Sequence, residues 1–173
     1  DTVRLAERRG FEVVHGIVDS LYLKKDETSD KEFIELCEEI TEKMGLPISY
    51  EGRYRWIVFL PSKIHFGVPV LNRFYGVFQD GKVKARGIEL RRGDTPEIVR
   101  RCQEEVIQEL AKAANSEEFI RRIPEALAVL RRYADKILNH DIGVDDLIIS
   151  KHLSKDPNRY VNNVSQAIAA RKL

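Results

Sequence analysis

Phe11-Glu12-Val13-Val14-His15-Gly16-Ile17-Val18-Asp19-Ser20-Leu21-Tyr22 sets two short apolar runs on either side of a polar turn. Val13, Val14, Leu21 and Tyr22 suit a pleated, half-buried surface, while Gly16 and the Asp19-Ser20 pair let the chain reverse. The stretch predicts a β-hairpin that carries one carboxylate, Asp19, near its tip. A carboxylate in a turn is ordinary by itself, so its meaning depends on the rest of the chain.

Upstream, Val3 to Arg9 predicts a helix entered in its middle, and the first residue is Asp1 rather than methionine. A fragment, a trimmed polypeptide or one piece of a split protein is therefore expected. Downstream, Ser29 with Glu32 three residues on forms a capping-box pattern ahead of the stripe Phe33, Leu36, Cys37, Ile40 and Met44. Gly45 and Pro47 close that helix. Ile48 to Phe59 predicts one strand, or two joined near Gly52, and Leu60 to Pro69 an irregular excursion. Arg73–Phe78 and Lys82–Leu90 predict a hairpin closed by Gln79-Asp80-Gly81, the Asp-Gly pair supplying the positive-φ turn.

From Thr95 the periodicity becomes helical. Thr95 is placed to cap and Pro96 to open a helix with Ile98, Cys102, Val106 and Leu110 at four-residue intervals. Ser116 is placed to cap a second helix with the stripe Phe119, Ile123, Leu127, Leu130, Ala134 and Ile137, which Pro124 should kink. The two helices are expected to pack as an antiparallel hairpin. A short strand at Leu147-Ile148-Ile149 and a helix from about Val161 end the chain. The expectation is an α+β fold, with a small antiparallel sheet and its packing helix over residues 1 to about 92 and a mainly helical part over 93–173.

Composition narrows the classes. Of 173 residues, 43% are hydrophobic and 33% charged, which marks a globular chain. The longest uncharged run, Tyr160–Ala170, is too short and polar to cross a bilayer, and nothing resembles a signal peptide. No membrane association and a cytoplasmic location are expected. Cys37 and Cys102 each fall inside an amphipathic helix and read as core, not as a disulfide or metal pair. His15, His65, His140 and His152 show no metal-ligand spacing.

The net charge of +1 hides a segregation. Residues 25–52 carry nine acids against three lysines, whereas residues 61–101 carry nine bases against four acids. A positive stretch of this kind suits a polyanion such as nucleic acid, and equally an ordinary solvated face.

The hairpin now gains a context. His15-Gly16-Ile17-Val18-Asp19-Ser20-Leu21-Tyr22 resembles motif C of family B DNA polymerases, Tyr-x-Asp-Thr-Asp-Ser followed by apolar residues. Asn72-Arg73-Phe74-Tyr75 is similar to the family's Lys-Lys-x-Tyr run. Arg86-Gly87-Ile88-Glu89-Leu90-Arg91-Arg92-Gly93-Asp94 resembles its Lys/Arg-Gly-x-Glu-x-x-Arg-Arg-Asp stretch, with Gly93 in place of the second arginine. Leu147–Lys155 and Gln166–Leu173 are similar to segments of its thumb. These likenesses keep the family's order and comparable spacing over nearly the whole chain, in the style of the archaeal branch.

The resemblance implies that residues 1–92 are the C-terminal part of a polymerase palm and 93–173 the thumb. It implies primer-template DNA as partner, with a dNTP and Mg²⁺ in the complete enzyme. The exonuclease, the fingers and the rest of the palm would be supplied in cis or by a partner subunit, and the chain alone is expected to be inactive. Asp19 takes the place of the metal-binding, catalytic aspartate; Ile17 replaces the family's other motif C aspartate, His15 its tyrosine and Val18 its threonine. Arg73, Tyr75, Lys84, Arg86, Arg91, Arg92 and Arg100 become candidate DNA contacts. Ile17 leaves two readings open: a part of a working polymerase, or a non-catalytic relative that binds DNA or serves assembly.

Overall fold

The computed structural model describes residues 1–17, 19–65, 67–162 and 164–172, the side chain of Leu71 excepted. Val18, the threonine position of the motif, and Leu173, the last residue of the final thumb-like segment, lie outside the described residues. The fold is α+β, as the periodicities predict. The chain divides into two compact units, Asp1–Arg86 with Ala114–Ser116, and Gly87–Ala113 with Glu117–Leu173.

The first unit is layered on the hairpin. Strands β1 (Glu12–Ile17) and β2 (Ser20–Lys24) pair antiparallel, with Ile17 opposite Ser20 and a two-residue connection between them. The register shifts between Val13 and His15. Side chains alternate with a period of two, so Val13 and His15 would share a face in a regular strand. The bulge at Val14 turns them to opposite faces, and Val14 itself is exposed.

On one face, Val13 and Leu23 pack against a core of Leu5, Ala6, Phe11, Leu36 and Ile40. That core comes mainly from helices α1 (Thr2–Arg8) and α2 (Asp30–Met44). On the other face His15 and Tyr22 meet Phe59 and Phe74, with ring centroids 4.4 Å apart for His15–Phe59 and 5.4 Å for Tyr22–Phe74. Those partners belong to a second, three-stranded antiparallel sheet, in the order β3 (Tyr54–Pro61), β4 (Pro69–Phe78), β5 (Val83–Arg86).

The stripe predicted for α2 is the one it buries, with Leu36 and Ile40 inaccessible and Gly45 closing the helix in the left-handed region. Its capping box is only half made. Ser29 occupies the N-cap position but its side chain makes no capping bond. Glu32 pairs with Lys25, and the Lys25 and Thr28 side chains and the Ser29 backbone N–H hold its carboxyl below the usual range. The turn after β4 is as expected: Gly81 has φ +89°, and the Phe78 N–H donates to the Lys82 carbonyl.

The strand expected over Ile48–Arg53 does not form. Arg53 is drawn to Asp30 (3.2 Å) and to the Thr28 carbonyl (2.7 Å), its own carbonyl accepts from Gln79 N–H, and Tyr50 stacks on Phe33. These contacts tie the segment to the residues at the start of α2 and to the turn after β4. Strand pairing instead runs to Pro61 and resumes at Pro69, so β3 and β4 take residues from both ends of the predicted excursion.

In the second unit, α3 (Glu97–Ala111) and α5 (Ile123–Leu138) form the expected antiparallel pair, with Glu109 bound to Arg122 and Glu105 to Arg132 and Tyr133. Pro96 sits at the N-cap of α3 itself, and no side chain caps that helix. Pro124 does not kink one long helix. It begins a new one, separating α4 (Ser116–Arg121) from α5, because a ring without an N–H fits a first turn and not an interior.

The face of α5 also differs from expectation. Ala126 and Tyr133 are buried, whereas Ile123, Leu127, Leu130 and Ile137 are exposed. Leu147-Ile148-Ile149 joins no strand among the described residues, following a 3-10 turn at Val144–Leu147. The last helix, α6 (Ser165–Ala170), starts later than about Val161.

Candidate functional site

Asp19 stands exposed in the connection between β1 and β2. The Ser20 hydroxyl donates to it at 3.4 Å. Ile17, across the pair from Ser20, is half-buried. His15, two residues further back, is buried against Phe59 and Tyr22. Hairpin geometry thus fixes the backbone beneath Asp19 through an aromatic cluster while leaving its oxygens in the open.

Tyr22 links this tip to the second sheet. Burial raises its phenol, the negative charges of Glu51 and Asp19 add to the effect, and the Arg86 guanidinium opposes it. Asp19 and Arg86, 67 positions apart in sequence, therefore act on one phenol. The Tyr54 hydroxyl close by is buried with no hydrogen-bond partner among the described residues, and burial, Tyr22 and Glu51 push it strongly upward.

Register separates the candidate DNA contacts of this unit. Phe74 is opposite Arg86 and Gly76 opposite Lys84, so Lys84 and Arg86 share the face of Phe74, the side that meets Tyr22. Arg73 and Tyr75 alternate to the other face, where the Tyr75 ring meets Trp56 edge-on at 6.0 Å and burial raises its phenol. The sequence reading names these four residues together among the candidate DNA contacts, and the sheet divides them into two pairs.

Cations differ in how far they are already engaged. Lys84 pairs with Glu51. In the second unit Arg92 makes two bonds of 3.0 Å to Asp94, which also pairs with Lys151, and Arg100 pairs with Glu97 at 3.2 Å. Arg92, then Lys151, holds the Asp94 carboxyl far below its usual range. Arg86 and Arg91 are exposed and form no ion pair among the described residues. Sequence reasoning missed Lys151 and Glu51 as partners, because their pairs span 57 and 33 positions and no local spacing signals them.

No three His, Cys, Asp or Glu side chains among the described residues are grouped to hold a metal. A divalent ion such as Mg²⁺ prefers near-octahedral oxygen ligation, usually with more than one ligand besides water. Asp19 offers one carboxylate, so the donor set of this chain does not make such a site by itself.

Comparison with known proteins adds the missing context. The family model for DNA polymerase family B matches residues 2–172. The DNA polymerase of Archaeoglobus fulgidus is 27% identical over 175 residues, covering 99% of this chain and 20% of that protein. DNA polymerase 1 of Saccharolobus solfataricus is 28% identical over 170 residues, covering 98% of this chain and 18% of its own length. The DNA polymerase of Pyrococcus horikoshii is 26% identical over 164 residues, covering 91% of this chain and 12% of that protein. An α+β chain with a carboxylate-tipped hairpin and an arginine-rich middle thus has relatives among archaeal sequences named DNA polymerase. The chain belongs to DNA polymerase family B. It spans about a fifth or less of the length of these relatives.

Proposed function

We propose that residues 1–92 are the C-terminal part of a family B polymerase palm and 93–173 its thumb, and that this chain grips primer-template duplex and contributes Asp19 to DNA-templated nucleotidyl transfer. The observation that carries the proposal is the placement of Asp19: an exposed carboxylate at a hairpin tip, in a chain matched by the family along its whole length. In the complete enzyme Asp19 would be one of several ligands to Mg²⁺, which would supply charge neutralisation at the triphosphate. The other ligands, the dNTP and the fingers belong to sequence outside this chain. The residues here hold and orient: the hairpin fixes Asp19, and the arginines meet the backbone of the duplex.

Arg86 and Arg91 are the most available for phosphate, since neither has to release a carboxylate first. Lys84, Arg92 and Arg100 exchange an exposed ion pair for a phosphate, and such pairs hold weakly in water. Arg73 and Tyr75 would read duplex shape from the opposite sheet face. Contacts of this type carry no base code, so binding should be independent of sequence.

Titrating labelled primer-template into the chain at a series of salt concentrations tests the grip. About four to six phosphate contacts give a log–log slope of about −4 to −5. Arg86→Ala should weaken binding equally for all sequences and make the slope shallower by about one. Absence of duplex affinity at low salt, or preference for one sequence, overturns the assignment. A second reading, a non-catalytic relative for DNA binding or assembly, is favoured by Ile17, which leaves the hairpin one acid short of the motif. It expects the same duplex affinity with no incorporation.

A further inference from the structure

One stretch of the second unit is held mainly by charge. Asp146 is half-buried, and every other residue from Gly143 to Lys151 is exposed. The backbone hydrogen bonds described within it, from the Asp146 N–H to the Gly143 carbonyl and from the Ile148 N–H to the Asp145 carbonyl, are internal to the stretch. Among the described residues, the side-chain bonds that join it to the rest of the unit are two ion pairs: Asp146 with Arg101 of α3, and Lys151 with Asp94 in the lead-in to α3. Little apolar burial holds the stretch down, and exposed ion pairs of this kind hold weakly in water.

The same pairs occupy cations that a polyanion would take. Asp94 receives two bonds of 3.0 Å from Arg92 as well as pairing with Lys151. The side chains of Arg92, Arg101 and Lys151 are 57%, 47% and 45% exposed, against 23% for Asp94 and 32% for Asp146. An anion in solution therefore reaches these cations from their open side while the carboxylates hold them from within. A phosphodiester offers a guanidinium two oxygens, as a carboxylate does, and a duplex offers them in series with release of counterions.

We propose that residues 143–151 form an electrostatic latch: in the free chain Asp94 and Asp146 occupy Arg92, Arg101 and Lys151, and duplex phosphates displace them and release the stretch. The proposal rests on the reading of this chain as a duplex grip, and it adds Arg101 and Lys151 to the contacts of that grip. Fastening at two points makes the release selective. A single small anion displaces one carboxylate while the other pair keeps the stretch docked, so the broken pair re-forms at the effective concentration of a tethered partner. Successive phosphates of a duplex compete for both pairs at once.

Nitrogen-15 relaxation of the 173-residue chain, free and titrated with a short duplex at low salt, tests the latch and reads the affinity in the same samples. Amides 144–151 should have order parameters of about 0.8 in the free chain and fall below about 0.6 when duplex is bound. Inorganic phosphate at the same ionic strength should leave them ordered. The double variant Asp94→Asn, Asp146→Asn should show the low order without duplex and bind duplex about three- to tenfold more tightly than wild type. Asp145→Asn removes a charge from the same stretch but no ion pair among the described residues, and it should keep the order and stay within about twofold of wild-type affinity. A stretch already disordered in the free chain, or one that stays ordered with duplex bound, overturns the latch and leaves the grip standing, as does an equal gain in affinity from Asp145→Asn and the double variant. A chain that binds no duplex, in wild type and double variant alike, overturns the grip and the latch together.

Discussion

Helices α2 and α5 carry comparable apolar stripes, yet α2 buries its stripe and α5 leaves it in the open. In the first unit Leu36 and Ile40 close onto Phe11, Leu5 and the hairpin. In the second, Ala126 and Tyr133 face inward, and Leu127, Leu130 and Ile137 do not. Periodicity locates a helix and an apolar face, but not the neighbour that will cover it. On α5 apolar residues occupy two faces, and α3 takes the one on which Tyr133 can reach Glu105.

The largest test of this contrast is truncation. Leu36→Ala should cost about 2–5 kcal/mol, as for a closed core position, while Leu127→Ala should change stability by no more than about 0.5 kcal/mol. Urea denaturation of the two variants measures both. Equal losses would mean that the α5 stripe is covered in solution and the contrast is false.

A smaller effect should separate the units by pH. The depressed Asp94 carboxyl stabilises the folded state above the unfolded carboxylate value of about 4, and the contribution is lost as pH falls below it. Asp94→Asn should lower the melting temperature at pH 7 by freeing Arg92 and Lys151, and the gap to wild type should begin to narrow below about pH 4 and go on narrowing as the pH falls further. A gap of the same size at every pH would show that the pairing is not what the aspartate contributes.

The tyrosines give the finest test. Burial raises Tyr22, Tyr50, Tyr54 and Tyr75 in the first unit, and in the second it pushes Tyr133 up to about 12 with help from Glu105. Tyr160 alone is lowered, first by its bond with the Ser154 hydroxyl. Alkaline titration of phenolate absorbance should show one early step, which Tyr160→Phe removes, and the rest later. An early step that survives the variant would assign it to a phenol of the first unit.

Most of the first unit was legible because local chemistry settles it. Turn residues fix Gln79-Asp80-Gly81, Gly45 stops α2, and alternation marks the hairpin that bears Asp19. What escaped depends on distant partners. Arg53 took Ile48–Arg53 out of a ladder by binding Asp30, and the bulge at Val14 reset which side chains face the second sheet. The same limit applies at the site: the sequence names Arg73, Tyr75, Lys84 and Arg86 alike as candidate DNA contacts, and only pairing register shows them on two faces.

The proposal that Asp19 is a working ligand of a polymerase site is tested most directly by primer extension with the complete polymerase, comparing wild type, Asp19→Ala and Ile17→Asp. The account predicts incorporation by wild type and none by Asp19→Ala. It also predicts a gain with Ile17→Asp, since position 17 is only half-buried and faces Ser20, whose hydroxyl can donate to the new carboxylate. Equal activity of wild type and Asp19→Ala would contradict it.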